Sequence, residues 1–393
     1  MVKKAFSVLL LLMAAVPLLM AENSISIDME LYNTVMKTRN LAKESYWAYA
    51  MAGKAAVSFK STGNRNVRAD LAGDILYPDS SGIPGFILQK AYVKAKFPTL
   101  RLTLGKTRLG WGDGFVFNSG DVIFGSTSPY VNLTGSEIRT DTTWLTSINY
   151  PLGRFSFIEG LIVAPEANAS GMRQIGDSGA GFRLYTKAGG IKIETGYYFD
   201  GTDNTTYDLN YTNSTEAYTI NALHRPYISL QGNIGPDWYL NSSVAIPISN
   251  SNILESITKD TFNISMGLFH MMEVGYNNSL SFRLESVILP YLNWEGDEGA
   301  AGSYAILVYP EISLGLGSTV RMSLRSIVSP IDLSAQITSG LSWNVFEGFN
   351  LLAYTTVNAG DGDDTFSWDK SDWVPGVDSV DGISMMFGVS FIY

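Results

Sequence analysis

The sequence predicts an all-β protein, a transmembrane antiparallel β-barrel of about 18 strands. Three observations predict it: a secretory signal at the start, sustained alternation of apolar and polar residues, and a final strand rich in aromatic residues. A barrel strand has lipid on one face and water on the other, so its side chains alternate. Because backbone polar groups cannot stay unpaired in lipid, such a sheet must close on itself. The alternative, a water-soluble sandwich, also alternates but rarely needs so many strands.

Residues 1–21 have the features of a secretory signal peptide. A pair of lysines starts the segment, an apolar run follows over 5–19, and Ala21 offers a small residue at the cleavage site. We therefore predict a single barrel domain over 22–393. The chain has no cysteine, and no apolar run of 18 or more residues follows the signal, so neither disulfides nor a membrane helix is predicted.

The last strand carries the clearest alternation. Phe387, Phe391 and Tyr393 share one face, whereas Gly388 and Ser390 share the other. This pattern is typical of the C-terminal strand of an outer-membrane barrel. We therefore expect the protein to lie in the bacterial outer membrane, in contact with its lipid, and to be recognised by the barrel-assembly machinery through Phe391 and Tyr393.

Short Gly-, Asn- and Pro-rich turns alternate along the chain with longer polar links, which is the asymmetry between short periplasmic turns and long surface loops in such barrels. From residue 54 onwards the pattern predicts seventeen strands, and an even number is expected. A strand over 24–31 brings the count to 18. The segment 33–52 is ambiguous between a first surface loop and a short helix in the pore; with the helix and one miscounted pair, 16 strands result.

The overall charge and the available side chains exclude several classes of function. The chain has 37 acidic and 27 basic residues, a formal net charge of −10, which argues against nucleic acid as a partner. Seven aspartates fall within 359–381 but lack the spacing of a calcium loop, so we interpret this stretch as a solvated surface loop. Only two histidines are present, and no P-loop or nucleophile elbow occurs. No enzyme, metal site or cofactor is predicted.

The polar faces of the predicted strands carry more bases than acids. Side chains cannot fill an 18-strand barrel, so these charges would line an aqueous lumen. This predicts a porin for passive diffusion of small polar, preferably anionic, solutes; local pairing of neighbouring charges is the alternative explanation. A non-channel surface barrel (adhesin or structural) and an exporter of an acidic polymer are the alternative functions. The predicted pore-lining residues are Arg68, Lys90, Lys94, Arg101, Arg139, Arg183, Arg283, Arg321 and Arg325.

The predicted link 109–137 begins in a Gly-rich segment. The stretch 105–121 resembles the G-[RK]-x-R-x-x-W-G-x-G…N-P-x-D box of porin-like outer-membrane barrels in the alginate-exporter-like group, with Ser119 where those proteins often have proline. The resemblance covers this stretch alone; it implies a porin-like barrel with an inward-bent loop and does not transfer alginate as a substrate. The matching residues are Gly105, Lys106, Arg108, Trp111, Gly112, Gly114, Asn118 and Asp121.

The residues of this stretch are also consistent with a constriction on physical grounds. Glycines let the backbone fold tightly. We expect Arg108 to pair with Asp113 or Asp121, and Trp111 to pack the loop against the wall. The alternative is a surface loop with an anchoring aromatic residue.

Overall fold

The computed structural model describes most of the chain, and none of the described residues belongs to a helix long and apolar enough to cross a membrane. The predicted signal peptide, Tyr393 and most of the aspartate-rich stretch lie outside the described residues. The described ranges are 23–39, 44–61, 66–78, 84–135, 138–165, 175–201, 205–206, 219–220, 223–247, 262–295, 304–361, 364–368 and 379–392.

Eighteen long strands form one antiparallel sheet in the described part of the chain, which confirms the predicted fold class and strand number. Two-residue strands add a small hairpin between Thr205–Thr206 and Thr219–Ile220, and Ile246–Pro247 extends the wall. The long strands are β1 Asn23–Arg39, β2 Ser45–Ser61, β3 Val67–Pro78, β4 Gly85–Lys96, β5 Arg101–Thr107, β6 Thr143–Pro151, β7 Phe157–Val163, β8 Gly179–Ala188, β9 Ile191–Asp200, β10 Leu223–Asn233, β11 Asp237–Ser243, β12 Asn263–Glu273, β13 Asn278–Ile288, β14 Ile306–Leu316, β15 Val320–Ser329, β16 Ser334–Phe346, β17 Phe349–Ala359 and β18 Ser379–Ile392.

The sheet closes between its first and last strands. Each strand pairs with its sequence neighbour, and β1 also pairs with β18, with Met29 opposite Phe391 and Val35 opposite Met385. Closure removes the free edges that an open sheet would present to lipid. The aromatic C-terminal strand therefore closes the barrel, with a paired strand on each side.

The predicted loop or pore helix over 33–52 is wrong for the residues that the structure describes there. Residues 33–39 end β1, residues 45–52 begin β2, and the two stretches pair, with Val35 opposite Tyr49. Trp47, Tyr49 and Met51 alternate with alanines and are exposed on the outer face. This period-2 pattern with aromatic side chains is that of a lipid-facing strand. The long first hairpin also provides the length along which β1 pairs with β18.

The two ends of the barrel differ in their connections. One end carries only short turns, such as 189–190 and 347–348, whereas the other carries the long connections. Three connections at this second end, 40–44, 79–84 and 330–333, are also short. The short-turn end corresponds to the periplasmic side of such barrels, and the long-loop end to the surface. The long connections are 108–142, 164–178, 201–222, 244–262, 289–305 and 360–378.

The two faces of the sheet differ in chemistry. Leu104, Ile162 and Phe182 point outward and are more than half exposed. Residues directly opposite one another on antiparallel strands share a face, so the register identifies the inward residues, among them Ser147 and Ser265. A belt of exposed apolar side chains around a closed barrel with a polar interior places the protein in the bacterial outer membrane.

Candidate functional site: a segment inside the barrel

The connection 108–142 between β5 and β6, here called the inserted segment, lies against inward-facing residues of the wall. Trp111, Val116 and Phe117 in it have 0% exposure, although they belong to a connection and not to a strand. Trp111, Gly112 and Val116 of the segment have their partners on strands far away in sequence, namely β7, β9 and β13. The segment therefore packs on the inner wall between β6 and β15, here called the covered wall.

The middle of the inserted segment is held by one carboxylate. Glu285 on β13, with 1% exposure, accepts the backbone N–H of Phe115 at 2.9 Å, Val116 at 2.8 Å and Phe117 at 3.1 Å. Arg283 lies 3.2 Å from the same carboxylate and sits over the Phe115 ring. Hydrogen bonds to an ionised acceptor are shorter and stronger than neutral ones. This carboxylate satisfies three backbone donors that have no sheet partner.

A second carboxylate pair holds the segment nearer to β5. Glu194 on β9 accepts the backbone N–H of Gly112 at 2.8 Å and the hydroxyl of Tyr227 at 2.5 Å. The Arg183 guanidinium bridges Glu194 at 3.0 Å and Glu159 of β7 at 2.7 Å. All these groups are largely buried, so each charge has its counterion within the same cluster.

Trp111 packs directly on the wall. Its indole ring stacks on Tyr227 with ring centroids 5.5 Å apart, and its Nε1 donates to Glu159 at 3.4 Å. Gly181 on β8 leaves the space for the ring, since a Cβ at that position would come within 2.9 Å of it. The indole therefore occupies a recess that a larger residue at 181 would fill.

The tip of the segment is a tight turn. The side-chain amide of Asn118 donates to the Trp111 carbonyl at 2.9 Å, while its oxygen accepts the N–H of Gly120. Gly112 has φ +67°, and a Cβ there would lie 2.8 Å from Gly120, so the close approach needs glycine. This turn supplies the shape that the Gly-rich sequence predicts.

Ser119 has a contact that proline could not make. Its backbone N–H donates to Ser265 Oγ on β12 at 2.8 Å. Proline, the residue often found here in the resembling box, has no N–H. The departure from the box therefore coincides with a wall contact.

Arg108 pairs with Asp121, one of the two partners considered from the sequence. Asp121 also accepts the hydroxyl of Ser126 at 2.6 Å and is almost fully buried. Burial raises the pKa of Asp121 above its ordinary value, although Arg108 acts in the opposite direction. Asp113 instead is exposed and accepts the N–H of Gly114 at 2.9 Å.

An apolar cluster lies where the segment meets the long-loop end. Phe117 and Leu133 of the segment pack with Leu307 and Ile327 of the wall, and Phe366 joins them from the connection 360–378. Two connections therefore share one apolar contact surface inside the mouth of the barrel.

Four of the nine predicted pore-lining cations make contacts with the inserted segment or with the acids that hold it. Arg183 and Arg283 belong to the carboxylate clusters described above. Arg325 donates to the carbonyls of Leu133 and Gly135 at 2.8 and 2.7 Å. Arg139 lies in the segment itself, since β6 begins only at Thr143, and donates to the Val116 carbonyl at 2.8 Å.

The other five have a different environment. Arg68, Lys94, Arg101 and Arg321 are exposed and Lys90 is half-buried. Register places Arg68 opposite Lys94, and Arg101 in the row of Asn149 and Glu159, on the inner face. Arg68, Lys94, Arg101 and Arg321 lie towards the short-turn end, outside the clusters that hold the segment.

The rest of the inner wall, strands β16–β18 and β1–β5, is here called the bare wall. Short polar side chains bond from strand to strand there, as between Thr338 and Thr356 at 2.9 Å and between Gln336 and Asn358 at 3.2 Å. Its described charges include Lys54, 3.7 Å from Glu30.

Sequence reasoning missed Glu159 as a functional residue. The available signal was its position as the single acid of the otherwise apolar β7. Tyr227, Asn241 and Ser265 were missed as well, and nothing in their local sequence separates them from other inward polar residues. Asn241 donates to the Asp113 carbonyl at 2.5 Å.

Comparison with known proteins identifies the fold. No family model matches the chain, and no curated protein matches it.

Solved structures do match along nearly the whole chain. Pseudomonas aeruginosa OpdQ matches with TM-score 0.53 and 9% identity, covering 95% of this chain and 98% of that one. Pseudomonas aeruginosa OccK11 (OpdR) matches with TM-score 0.52 and 9% identity, covering 95% and 96%. Acinetobacter baumannii OccAB3 matches with TM-score 0.51 and 10% identity, covering 94% and 99%. The likeness shows that the chain shares the closed-barrel fold of these proteins.

Proposed function

We propose that the protein is a porin through which small polar solutes diffuse passively, between the inserted segment and the bare wall. One observation carries this proposal: the described residues of the connection 108–142 lie inside an 18-strand barrel and are fixed to one side of its wall. Side chains cannot fill a barrel of this width, so water occupies what the segment leaves open. A segment fixed on one side narrows such a channel without filling it.

We also propose a preference for anionic solutes. The cations available to a solute include the exposed Arg68, Lys94, Arg101 and Arg321 and the half-buried Lys90. A low-dielectric wall concentrates the field of such charges and attracts counterions. The Arg residues of the covered wall contribute less, because Glu159, Glu194, Glu285 and Glu311 neutralise them.

Planar lipid bilayers test both proposals. Purified protein should insert in discrete steps of constant conductance, and a salt gradient should give a reversal potential on the anion side. Absence of conductance steps after verified insertion would contradict the channel, and would favour a non-channel surface barrel. Cation-selective reversal would contradict the anion preference alone.

We further propose that lipid surrounds the apolar belt, and that the barrel-assembly machinery recognises the C-terminal strand, on which Phe391 is exposed on the outer face. Replacing Phe391 by Ser should lower the amount of folded barrel in the outer membrane, measured by heat-modifiable migration in gels. Unchanged folded amounts would contradict this recognition.

A further inference from the structure

We propose that Glu285, Glu194 and Glu159 are positioning residues that set the aperture of the channel by holding the inserted segment against the wall. The inference rests on the proposed porin function, and names the groups on which the size of its opening depends.

The inserted segment and the wall satisfy each other's buried polar groups at Glu285. The stretch 115–117 presents three backbone N–H groups to Glu285, and Glu285 is almost fully buried beneath them. A buried carboxylate without donors is strongly unfavourable, and so is a buried amide without an acceptor. Each side therefore satisfies the other. Removing the carboxylate leaves three amides that water can satisfy only if the segment moves away.

The second anchor works in the same way. Glu194 takes the Gly112 N–H, Glu159 takes the Trp111 indole N–H, and Arg183 holds the two carboxylates in place. The anchors contact the segment at two separate places, 111–112 and 115–117. Two points of attachment restrict rotation of this stretch into the lumen.

Other restraints in the described residues are weaker at this place. The backbone–backbone hydrogen bonds found among the described residues of the segment all join the segment to itself, as between Asn118 and Ser126 at 2.7 Å. The chain has no cysteine to cross-link it. The apolar cluster around Leu133 and Phe366 holds the far part of the segment, towards the long-loop end. Two neutral wall side chains also hold the stretch 111–117: Asn241 donates to the Asp113 carbonyl at 2.5 Å, and the Tyr239 hydroxyl donates to the Phe117 carbonyl at 3.0 Å. The carboxylates accept the other polar contacts described above between this stretch and the wall, and an ionised acceptor makes the stronger hydrogen bond, so they are the main polar attachment.

Single-channel recording of Glu285→Ala tests the inference. We expect conductance to rise to roughly 1.5 to 2 times that of the wild type, with added current noise, because a released segment no longer fixes the open cross-section. Glu285→Gln, which keeps one acceptor oxygen but loses the charge, should lie between Ala and wild type. Glu273→Ala, which removes an exposed carboxylate at the short-turn end of β12, is the matched control and should conduct as wild type. Wild-type conductance and noise in both Glu285 variants would overturn the inference.

A reversible disulfide between the segment and the wall distinguishes a displaced segment from a misfolded barrel. Ser119 N lies 2.8 Å from Ser265 Oγ, which puts the two Cα atoms within about 7 Å, near the range that a disulfide spans. Ser119→Cys with Ser265→Cys, added to Glu285→Ala, should restore wild-type conductance when oxidised and lose it again on reduction. Failure of a formed cross-link to lower conductance would contradict the positioning role.

A third measurement does not depend on conduction. Ser119 is 3% exposed, so a thiol in Ser119→Cys should react slowly with a polar maleimide, and at least about tenfold faster when Glu285→Ala is added. Equal labelling rates would overturn the inference even in a protein that does not conduct. Absence of conductance in the wild type with a rate difference would contradict only the porin function. Heat-modifiable migration in gels checks that each variant is folded.

Discussion

The covered wall and the bare wall of the same barrel are built from different chemistry. On the covered wall, long charged side chains such as Arg183, Glu194 and Glu285 reach inward and are buried beneath the inserted segment. On the bare wall, short side chains such as Thr338 and Thr356 bond along the wall itself. The bare wall also carries charges, but they pair along the wall, as Lys54 does with Glu30 at 3.7 Å, or are exposed, as Arg68 and Lys94 are. Inward charge is therefore of two kinds, one that holds the segment and one that faces the water.

Because of this difference, the number of inward-facing basic residues does not by itself give the charge that a solute in the lumen meets. The polar faces carry an excess of bases, yet the arginines at 183, 283 and 325 are each paired with a wall glutamate. A buried ion pair whose lone pairs and protons are all engaged has little field left for a solute. The selectivity of the lumen is thus expected to follow the exposed cations at the short-turn end.

Deleting residues 111–120 should have the largest effect. This change removes the stretch that contacts Glu159, Glu194 and Glu285, so we expect conductance to rise by about twofold or more, because it depends on open cross-section. Single-channel recording measures it. Shortening the connection 201–222 by the same length is the control, and an equal rise there would remove the distinction between the inserted segment and other long connections.

Neutralising the exposed cations should change selectivity, whereas neutralising a buried, paired arginine should change stability. Replacing Arg68, Lys94 and Arg101 together by Gln should lower anion preference with little effect on conductance, because these side chains are exposed. Arg183→Gln leaves the buried carboxylates of Glu159 and Glu194 without their counterion. This should lower the free energy of unfolding by on the order of 3–5 kcal/mol and increase current noise. Reversal potentials and urea unfolding measure the two effects. If Arg183→Gln changes selectivity as strongly as the triple variant, the two kinds of charge are not distinct.

The smallest effect is expected at Asp121. Burial raises the pKa of this carboxyl, so the folded protein takes up its proton at a higher pH than the unfolded chain does. The contribution of this group to stability therefore increases as pH falls through the raised pKa, and acid does not release the segment through Asp121. Protonation also removes the negative charge of Asp121 beside Arg108 and leaves that guanidinium with Asp141, 3.7 Å away, so anion preference should rise modestly on acidification.

Asp121→Asn provides the matched comparison for that pH dependence. The variant should show the higher anion preference already at neutral pH, and a flatter change in reversal potential between neutral and mildly acidic solution. An unaltered pH profile would show that another group is responsible.

The strands were predictable because their pattern is local. Alternation of the kind seen from Phe387 to Phe391 reflects two solvents on the two faces of a strand, and each strand carries that record in its own residues. The exception is the first hairpin, where aromatic residues at 47 and 49 alternate with alanines and the polar partners that usually mark a barrel strand are missing. Both faces there have weak contrast, so the period was harder to detect.

The sequence by itself determined the closed sheet, the compartment and the Gly-rich bend around Gly112, because periodicity and backbone freedom act between near neighbours. Only the tertiary structure decided what the bend rests on. Phe117 and Glu285 are 168 residues apart, and they meet because ring closure and register bring β13 beside the inserted segment. The partner of a buried backbone N–H depends on that three-dimensional neighbourhood, and no pattern along the chain records it.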